Sequence, residues 1–481
     1  MERLHLVDKL PTAGAKDIPF SRIGIGFEKL DRDVFDPEKA YDKVARIGVK
    51  KIRIQSGWAR TERAEGVYDF AWLDKIVDNL LSRGLEPWIC LCYGNPIYTD
   101  LAKPVFGAVG CPPIATEREL NAWLAYVRAT VTHFKGRVTI FEIWNEPDCN
   151  YSWRHCENEE IDHNRNADEY GRFALATAKA FKETDPTART MGFALGHAWD
   201  LEYVNRALST GLYQYLDLVS FHAYTPSELN RRRSAHRLRL LLDSFDPKIG
   251  LVQGETGAQS RSDGNGAMKG FAWTPEKQVK ALLRGLVMDM AEGVEFTSYF
   301  STMDMIEALR GRLADKASYL DFGYFGVIGA DFDENGRASG EYTEKPSYYA
   351  LQTLAYLMRG NARPCAFPWR SFSLPSKRVN GQDCTDSTRQ GATFVLDDGR
   401  RALIYWNATD LLTATYEGTT SLEVFGVKAD SVRLIDLRNG NVYALPDTMV
   451  EDLGLGGVRL KNLPLTDCPL ALIFDDSEVM V

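Results

Sequence analysis

Val49-Lys-Lys-Ile-Arg-Ile-Gln55, Phe70-Ala-Trp-Leu-Asp-Lys-Ile-Val-Asp-Asn-Leu-Leu-Ser-Arg83 and Leu85-Glu-Pro-Trp-Ile-Cys-Leu-Cys-Tyr93 follow one another along the chain. The first and third are short apolar-leaning runs, and the second is amphipathic over a helical length. Strand, helix and strand in that order imply a parallel strand pair joined by a crossover helix. The pattern extends both ways. Upstream, Ser21–Phe27 reads as a strand and Pro37–Ile47 as a helix. Downstream, strands at 138–144, 188–194, 216–222, 248–254 and 294–300 alternate with helices at 116–135, 167–184, 198–210, 227–244, 274–292 and 345–358. Eight strand–helix pairs are what a closed (β/α)8 TIM barrel requires. The runs lack polar alternation, as strands covered on both faces should.

Helical periodicity stops near residue 362. Ala392–Leu396, Arg401–Trp406, Thr420–Val424, Ser431–Asp436 and Leu470–Phe474 are short β-rich runs separated by turn residues, which predicts an antiparallel β-sandwich. The expected class is therefore α/β, a (β/α)8 TIM barrel over 21–361 with a C-terminal β-sandwich over 362–481. An arm over 1–20 is expected to pack on the sandwich. That module could bind carbohydrate, mediate homo-oligomer contacts or cover the barrel's side. Thr302–Gly340 is a long loop after the eighth strand, and long loops in compact domains are usually functional or mobile.

Composition narrows the function. The 481 residues hold 57 Lys+Arg against 66 Asp+Glu, a net charge of −9. An acidic balance argues against a nucleic-acid partner. The basic run Arg231-Arg232-Arg233 with Arg237 and Arg239 reads as a solvated helix face. No run has the roughly 18 apolar residues of a membrane helix, so no membrane partner is expected. Met1-Glu-Arg-Leu-His-Leu-Val-Asp8 has no apolar h-region, which leaves a cytoplasmic protein or a mature secreted form. The eight cysteines, Cys90, Cys92, Cys111, Cys149, Cys156, Cys365, Cys384 and Cys468, are too sparse for a disulfide scaffold. Cys149 and Cys156, near His155 and His163, suggest a zinc site or a loop disulfide, but their spacing fits no common zinc pattern. Neither metal nor cofactor is expected. No G-x-S-x-G, H-E-x-x-H, Walker or dinucleotide motif occurs.

The active face of such a barrel is at the C-terminal ends of its strands. The second strand ends in Arg53 and Gln55, the fourth in Trp144, Asn145 and Glu146, the sixth in His222 and Tyr224, the seventh in Gln253 and Glu255. Glu146 and Glu255 thus oppose each other across the mouth. Paired carboxylates suit glycosidic bond cleavage, one protonated for the leaving oxygen and the other ionised toward the sugar carbon. Arg53 is placed to keep Glu255 ionised. Glu142, inside its strand, is expected to point away or to pair in the core.

Phe141-Glu-Ile-Trp-Asn-Glu-Pro-Asp148, Phe221-His-Ala-Tyr224, Leu251-Val-Gln-Gly-Glu-Thr-Gly257 and Gly66-Val-Tyr-Asp-Phe70 with Leu73-Asp74 resemble the strand-end motifs of clan A retaining glycoside hydrolases. With the C-terminal sandwich and Glu344-Lys-Pro-Ser-Tyr-Tyr-Ala350, the layout is most similar to glycoside hydrolase family 39, the β-xylosidase and iduronidase group. The resemblance covers roughly residues 20–360. It implies Glu146 as acid/base and Glu255 as nucleophile. It also implies Asn145 on the sugar 2-hydroxyl, Tyr224 bonded to Glu255, and His222 and Arg53 lining the site; Trp144, from the same strand end as Glu146, is a further candidate substrate contact. Where the clan places a tryptophan at the eighth strand end, this chain has Phe300; Phe300, Trp273 or Trp58 is the candidate sugar platform. The loops 95–115 and 149–166 are expected to wall the cleft, which favours exo-action. A carboxylate-bearing sugar would want a base such as Arg154 or Arg165. Endo-acting glycanase and transglycosylase remain alternatives on the same residues, and a carbohydrate-binding protein on an inactive barrel is the non-enzymatic one.

Overall fold

Eight parallel strands close into one barrel in the computed structural model, which describes residues 4–156, 162–309, 311–371, 377–379, 382–383 and 389–476. The strands are β1 (Ile23–Gly26), β2 (Lys51–Gln55), β3 (Glu86–Leu91), β4 (Ile140–Ile143), β5 (Arg189–Leu195), β6 (Leu218–His222), β7 (Gly250–Thr256) and β8 (Thr297–Tyr299). The eighth pairs back onto the first, Ser298 opposite Gly24. The helices that follow them in turn are α1 (Tyr41–Ile47), α2 (Ala71–Ser82), α3 (Glu117–Phe134), α4 (His163–Thr184), α5 (Leu201–Ser209), α6 (Glu228–Phe245), α7 (Pro275–Ala291) and α8 (Pro346–Leu357).

Local sequence explains where these helices begin. Thr116, Ser227 and Thr274 accept the backbone N–H of Glu119, Asn230 and Lys277, satisfying a donor that the first turn would otherwise leave bare. Pro275 and Pro346 stand at first helical positions, where no N–H is missed. The barrel is filled: Trp88, Ile140, Met191, Leu218, Val252 and Phe296 form one buried cluster inside it. Above that layer the interior turns polar.

Two antiparallel sheets follow the barrel. One has the order His5–Lys9, Asn441–Ala444, Arg433–Asp436, Leu470–Phe474, Arg401–Asn407, Arg389–Val395 and Arg363–Pro364. The other is built on the long pair Tyr416–Phe425 and Gly457–Thr466. Leu403, Leu422, Val424, Leu434, Leu460 and Leu472 pack between them. The N-terminal strand His5–Lys9 pairs antiparallel with Asn441–Ala444.

The sandwich is fastened to α7. The buried Arg284 guanidinium donates to the carbonyls of Asp467, Thr409 and Asn407 at 2.7, 3.0 and 3.2 Å. Lys280 meets Asp467 at 2.7 Å, and Trp406 donates to Glu228 on α6 at 2.9 Å. No described helix is long and apolar enough to cross a membrane.

The arginine run on α6 is not a uniform solvated face. Arg231 is buried and reaches Asp289 at 3.1 Å and Thr256 Oγ1 at 2.6 Å, because α6 packs against β7 at that turn. Cys149 and Cys156 are both free thiols, the first buried and the second exposed, so they do not pair. Cys384 is outside the described residues.

Candidate active site

The site begins with an abrupt end to β4. Trp144 and Glu146 both have left-handed backbone, φ 66° and 50°, which costs energy for residues with a Cβ. The turn at Trp144 throws the indole outward between the helices. It is fully buried against Trp123, Trp153 and Phe173 and donates to Ser152 O at 2.8 Å. Trp144 is therefore a core residue that anchors the loop, correcting its placement about the sugar. The second left-handed step returns Glu146 to the barrel mouth.

Glu146 is held from two sides. His222 Nδ1 is 2.8 Å from Oε1, and the Tyr151 hydroxyl donates to Oε2. Burial, helped by the charge of Asp148, pushes the Glu146 carboxyl up to about 7, against the opposing pull of Tyr151, Arg53 and His197. Burial also lowers His222 below its ordinary value, which favours the neutral ring.

Glu255 ends β7. Its Oε2 accepts from Arg53 Nη1 at 2.7 Å, and its Oε1 accepts from the Tyr224 hydroxyl at 2.5 Å. Glu146, His222 and Glu255 each bring one atom to within 4.8 Å of the others. The two carboxylates thus face each other, with Arg53 and Tyr224 on Glu255.

Arg53 does more than was expected of it. The guanidinium is fully buried and also donates to Glu28 at 3.0 Å, Glu142 at 2.6 Å and Asn145 Oδ1 at 2.7 Å. Glu142 thus pairs in the core. Glu28 was overlooked, although it follows β1 directly; burial and the Glu255 charge raise its pKa despite Arg53. Asn145 is buried with its oxygen turned to Arg53.

A cavity of about 720 Å3 contains Glu146, Glu255, Tyr224 and Phe300. Cys149, Asn150 and Tyr151 from the loop after β4 form one wall; Asn265–Ala267 with Lys269, and Glu307 with Asp321, form others. The loop over 95–115 contributes nothing to it, correcting that expectation. Phe300 packs edge-on to Tyr224 and Phe325, at 6.2 and 5.4 Å between centroids.

Two other aromatic candidates are elsewhere. Trp58 is buried in a stack with Tyr98 and Tyr126 and donates to Glu62. Trp273 is buried with Ala258 and Leu411 and donates to Met268 O. Each indole is drawn to an apolar cluster with one acceptor for its N–H, and neither lines the cavity.

Arg154 donates to Val109 O at 3.3 Å, and Arg165 is near His155 and Glu169; neither reaches the cavity, where Lys269 is the lining cation. Tyr151, like Glu307, was also missed. Its only signal was its place in the unusual loop after Glu146.

Asp148, Cys149 and His197 form a second cluster of possible metal ligands. Asp148 is already occupied by the backbone N–H groups of Gly196 and His197, at 2.9 and 2.6 Å. Burial pushes the Cys149 thiol up, and a protonated thiol is a poor ligand. The cluster ties the β4 and β5 loops together.

A model of glycosyl hydrolases family 39 matches residues 37–237, the span from α1 into α6 that carries Asn145, Glu146, His222 and Tyr224 but not Glu255. By sequence, the chain is 27% identical over 168 residues to a β-xylosidase of Geobacillus stearothermophilus, an alignment covering 33% of this chain. That alignment spans 31% of the relative, so under a third of its length is matched. Among solved structures, a family 39 glycoside hydrolase from the gut symbiont Bacteroides cellulosilyticus WH2 has a TM-score of 0.64 at 17% identity, covering 97% of this chain and 83% of that one. A GH39 β-xylosidase from Caulobacter crescentus has a TM-score of 0.55 at 17% identity, covering 98% and 99%. At such identity these two structures share the fold with this chain.

Proposed function

Because a model of glycosyl hydrolases family 39 matches residues 37–237, we propose that the chain is a retaining, exo-acting glycosidase that removes terminal β-linked sugars. Glu255 is the nucleophile and Glu146 the acid/base. The observation that carries this reading is that one carboxylate oxygen of Glu146 lies within 4.8 Å of one of Glu255. Retaining enzymes hold theirs about 5–5.5 Å apart, whereas inverting ones need about 6.5–9.5 Å for a water.

The surroundings suit the two roles. Arg53 and Tyr224 stabilise negative charge on Glu255, the form that attacks the anomeric carbon. Glu146, with a pKa near 7, is poised to give up a proton and take it back at neutral pH. In the first step a Glu255 oxygen bonds to the anomeric carbon as the glycosidic C–O bond breaks, and Glu146 protonates the departing oxygen. In the second step water, giving its proton to Glu146, displaces Glu255 from the same carbon. Two inversions restore the configuration.

The walls favour an uncharged sugar at the reacting position. Lys29 offsets the lining Glu307 at 3.1 Å, and among the described residues lining the cavity Asp321 and the catalytic pair stand against Lys269, so a sugar carboxylate would meet like charge beside Asp321 and the catalytic pair. The similarity to a β-xylosidase makes β-xylosides the first substrates to try. The three-walled cavity supports action on chain ends.

The test is a panel of 4-nitrophenyl α- and β-glycosides with wild type and Glu146→Ala, azide being added to the variant. The expected result is cleavage of a β-glycoside, loss in the variant, and recovery by azide with formation of a glycosyl azide of retained configuration. Product of inverted configuration, or an unimpaired variant, would refute the assignment.

A further inference from the structure

Four arginines of the α6 run remain after Arg231 is assigned to β7, and Arg239 pairs with Asp243 at 2.9 Å. Arg232 pairs with Glu292 at 2.6 Å. Arg233 and Arg237 are exposed and line a second cavity of about 450 Å3 beside the catalytic one. Asn230, Arg233, Ser234 and Arg237 follow the i, i+3, i+4, i+7 spacing, so they share one helix face. Facing them is Trp199, exposed to 64%, its ring 5.4 Å from that of His197.

The two cavities share Gly196, His197 and Tyr224 as walls. His222, which holds Glu146, also lines the second one. It therefore adjoins the carboxyl that serves the leaving oxygen. Its electrostatics are opposite to those of its neighbour. Among the described residues no carboxylate lines it, whereas Glu146, Glu255, Glu307 and Asp321 line the catalytic cavity. On a chain of net charge −9, two guanidinium groups in a carboxylate-free hollow select an anion. The guanidinium fork matches carboxylate and sulfate, and an exposed indole face suits the apolar face of a sugar ring.

We propose that this second cavity is a leaving-group subsite for an acidic sugar unit, carboxylated or sulfated, joined to the neutral sugar cleaved in the catalytic cavity. The inference rests on the glycosidase reading. Trp199 supports the ring, and Arg233 and Arg237 bind the anionic substituent.

The test is a titration, followed by calorimetry, of the whole enzyme and in parallel of its Glu255→Gln form, which keeps cleavage from obscuring binding, with three tetrasaccharide probes: carboxylated ones from polygalacturonate, sulfated ones from carrageenan, and neutral ones from xylan. An acidic probe is expected to bind about tenfold tighter than the neutral one at low salt, the sum of two exposed ion pairs. Arg233→Ala with Arg237→Ala should abolish that difference, and Trp199→Ala should weaken acidic and neutral probes alike. The acidic probe that responds identifies carboxylate or sulfate as the ligand group. Equal binding of all three probes by wild type, or retained preference in the double variant, would overturn the subsite. Both arginines are exposed, and thermal melting checks that the variant folds. Glu255→Ala on the aryl glycoside is scored separately: full activity there sinks the glycosidase reading, whatever the titrations give.

Discussion

Replacing Tyr151 by Phe tests the acid/base assignment through its proton. The tyrosine hydroxyl donates to Glu146 Oε2 and is the foremost influence holding the Glu146 pKa down against burial. A hydrogen bond to a charged group contributes about 1.5–3 kcal/mol, and each pKa unit corresponds to about 1.36 kcal/mol. Loss of the donor should therefore raise the Glu146 pKa by ~1–2 units, toward the smaller figure because water can enter the cavity and replace it. As general acid, Glu146 must be protonated in the free enzyme, so kcat/KM falls as pH rises through its pKa. In wild type that fall is centred near 7; in Tyr151→Phe it should move to higher pH. The assay is kcat/KM for an aryl glycoside from pH 4 to 10 in both proteins. An alkaline limb that does not move, or moves down, would show that Glu146 is not the titrating acid or that Tyr151 does not stabilise its charge.

Three further perturbations probe the frame beneath the site. Arg53→Met leaves Glu28, Glu142 and Glu255 without their shared cation; breaking a buried pair from one side costs about 3–5 kcal/mol, so denaturant unfolding should shift by that amount, and a change below ~1 kcal/mol would be out of line with the network. Glu28 has a raised pKa in the folded state, so the stability tied to its proton is full below about 4.5 and is lost as pH rises toward about 8. Glu28→Gln cannot lose that proton and should flatten the stability–pH curve over that window; an unchanged slope would contradict the shift. Gly254→Ala would put a Cβ 2.1 Å from Ser220 Oγ inside the barrel, and such overpacking destabilises by about 1–3 kcal/mol; a variant as stable as wild type, in the same denaturant assay, would mean the interior is looser than described.

The alternation of strands and helices was legible because each barrel strand is apolar on both faces and each helix carries an amphipathic stripe. Strand order and closure followed, and so did the meeting of Glu146, Glu255, Arg53, His222 and Tyr224, since strand ends converge on one rim. What escaped reading was direction at single residues. Trp144 reads in sequence with Asn145 and Glu146, but two left-handed residues send neighbouring side chains opposite ways, and no periodicity announces a positive φ at a tryptophan. Glu28 was missed because its strand was read for its apolar run and not for its end. Tyr151 and Glu307 reach the cavity from loops, where spacing carries no geometric information. In the sandwich, Asn441–Ala444 and Val450–Gly454 are short strands whose partners are settled by tertiary pairing and not by local pattern.

The pairing of His5–Lys9 with Asn441–Ala444 places an early segment of the chain against one made roughly 430 residues later. At a synthesis rate of about 5–20 residues per second, that partner arrives ~20–90 s after the strand itself has emerged. Throughout that interval Leu6 and Val7 are tethered to a growing chain with nothing of their own to pair with, while the barrel segments, all made earlier than residue 360, are free to assemble. Completion of the sheet is thus a late docking event between two segments made far apart in time, and the moment at which it happens is set by translation speed as much as by the barrel's own folding.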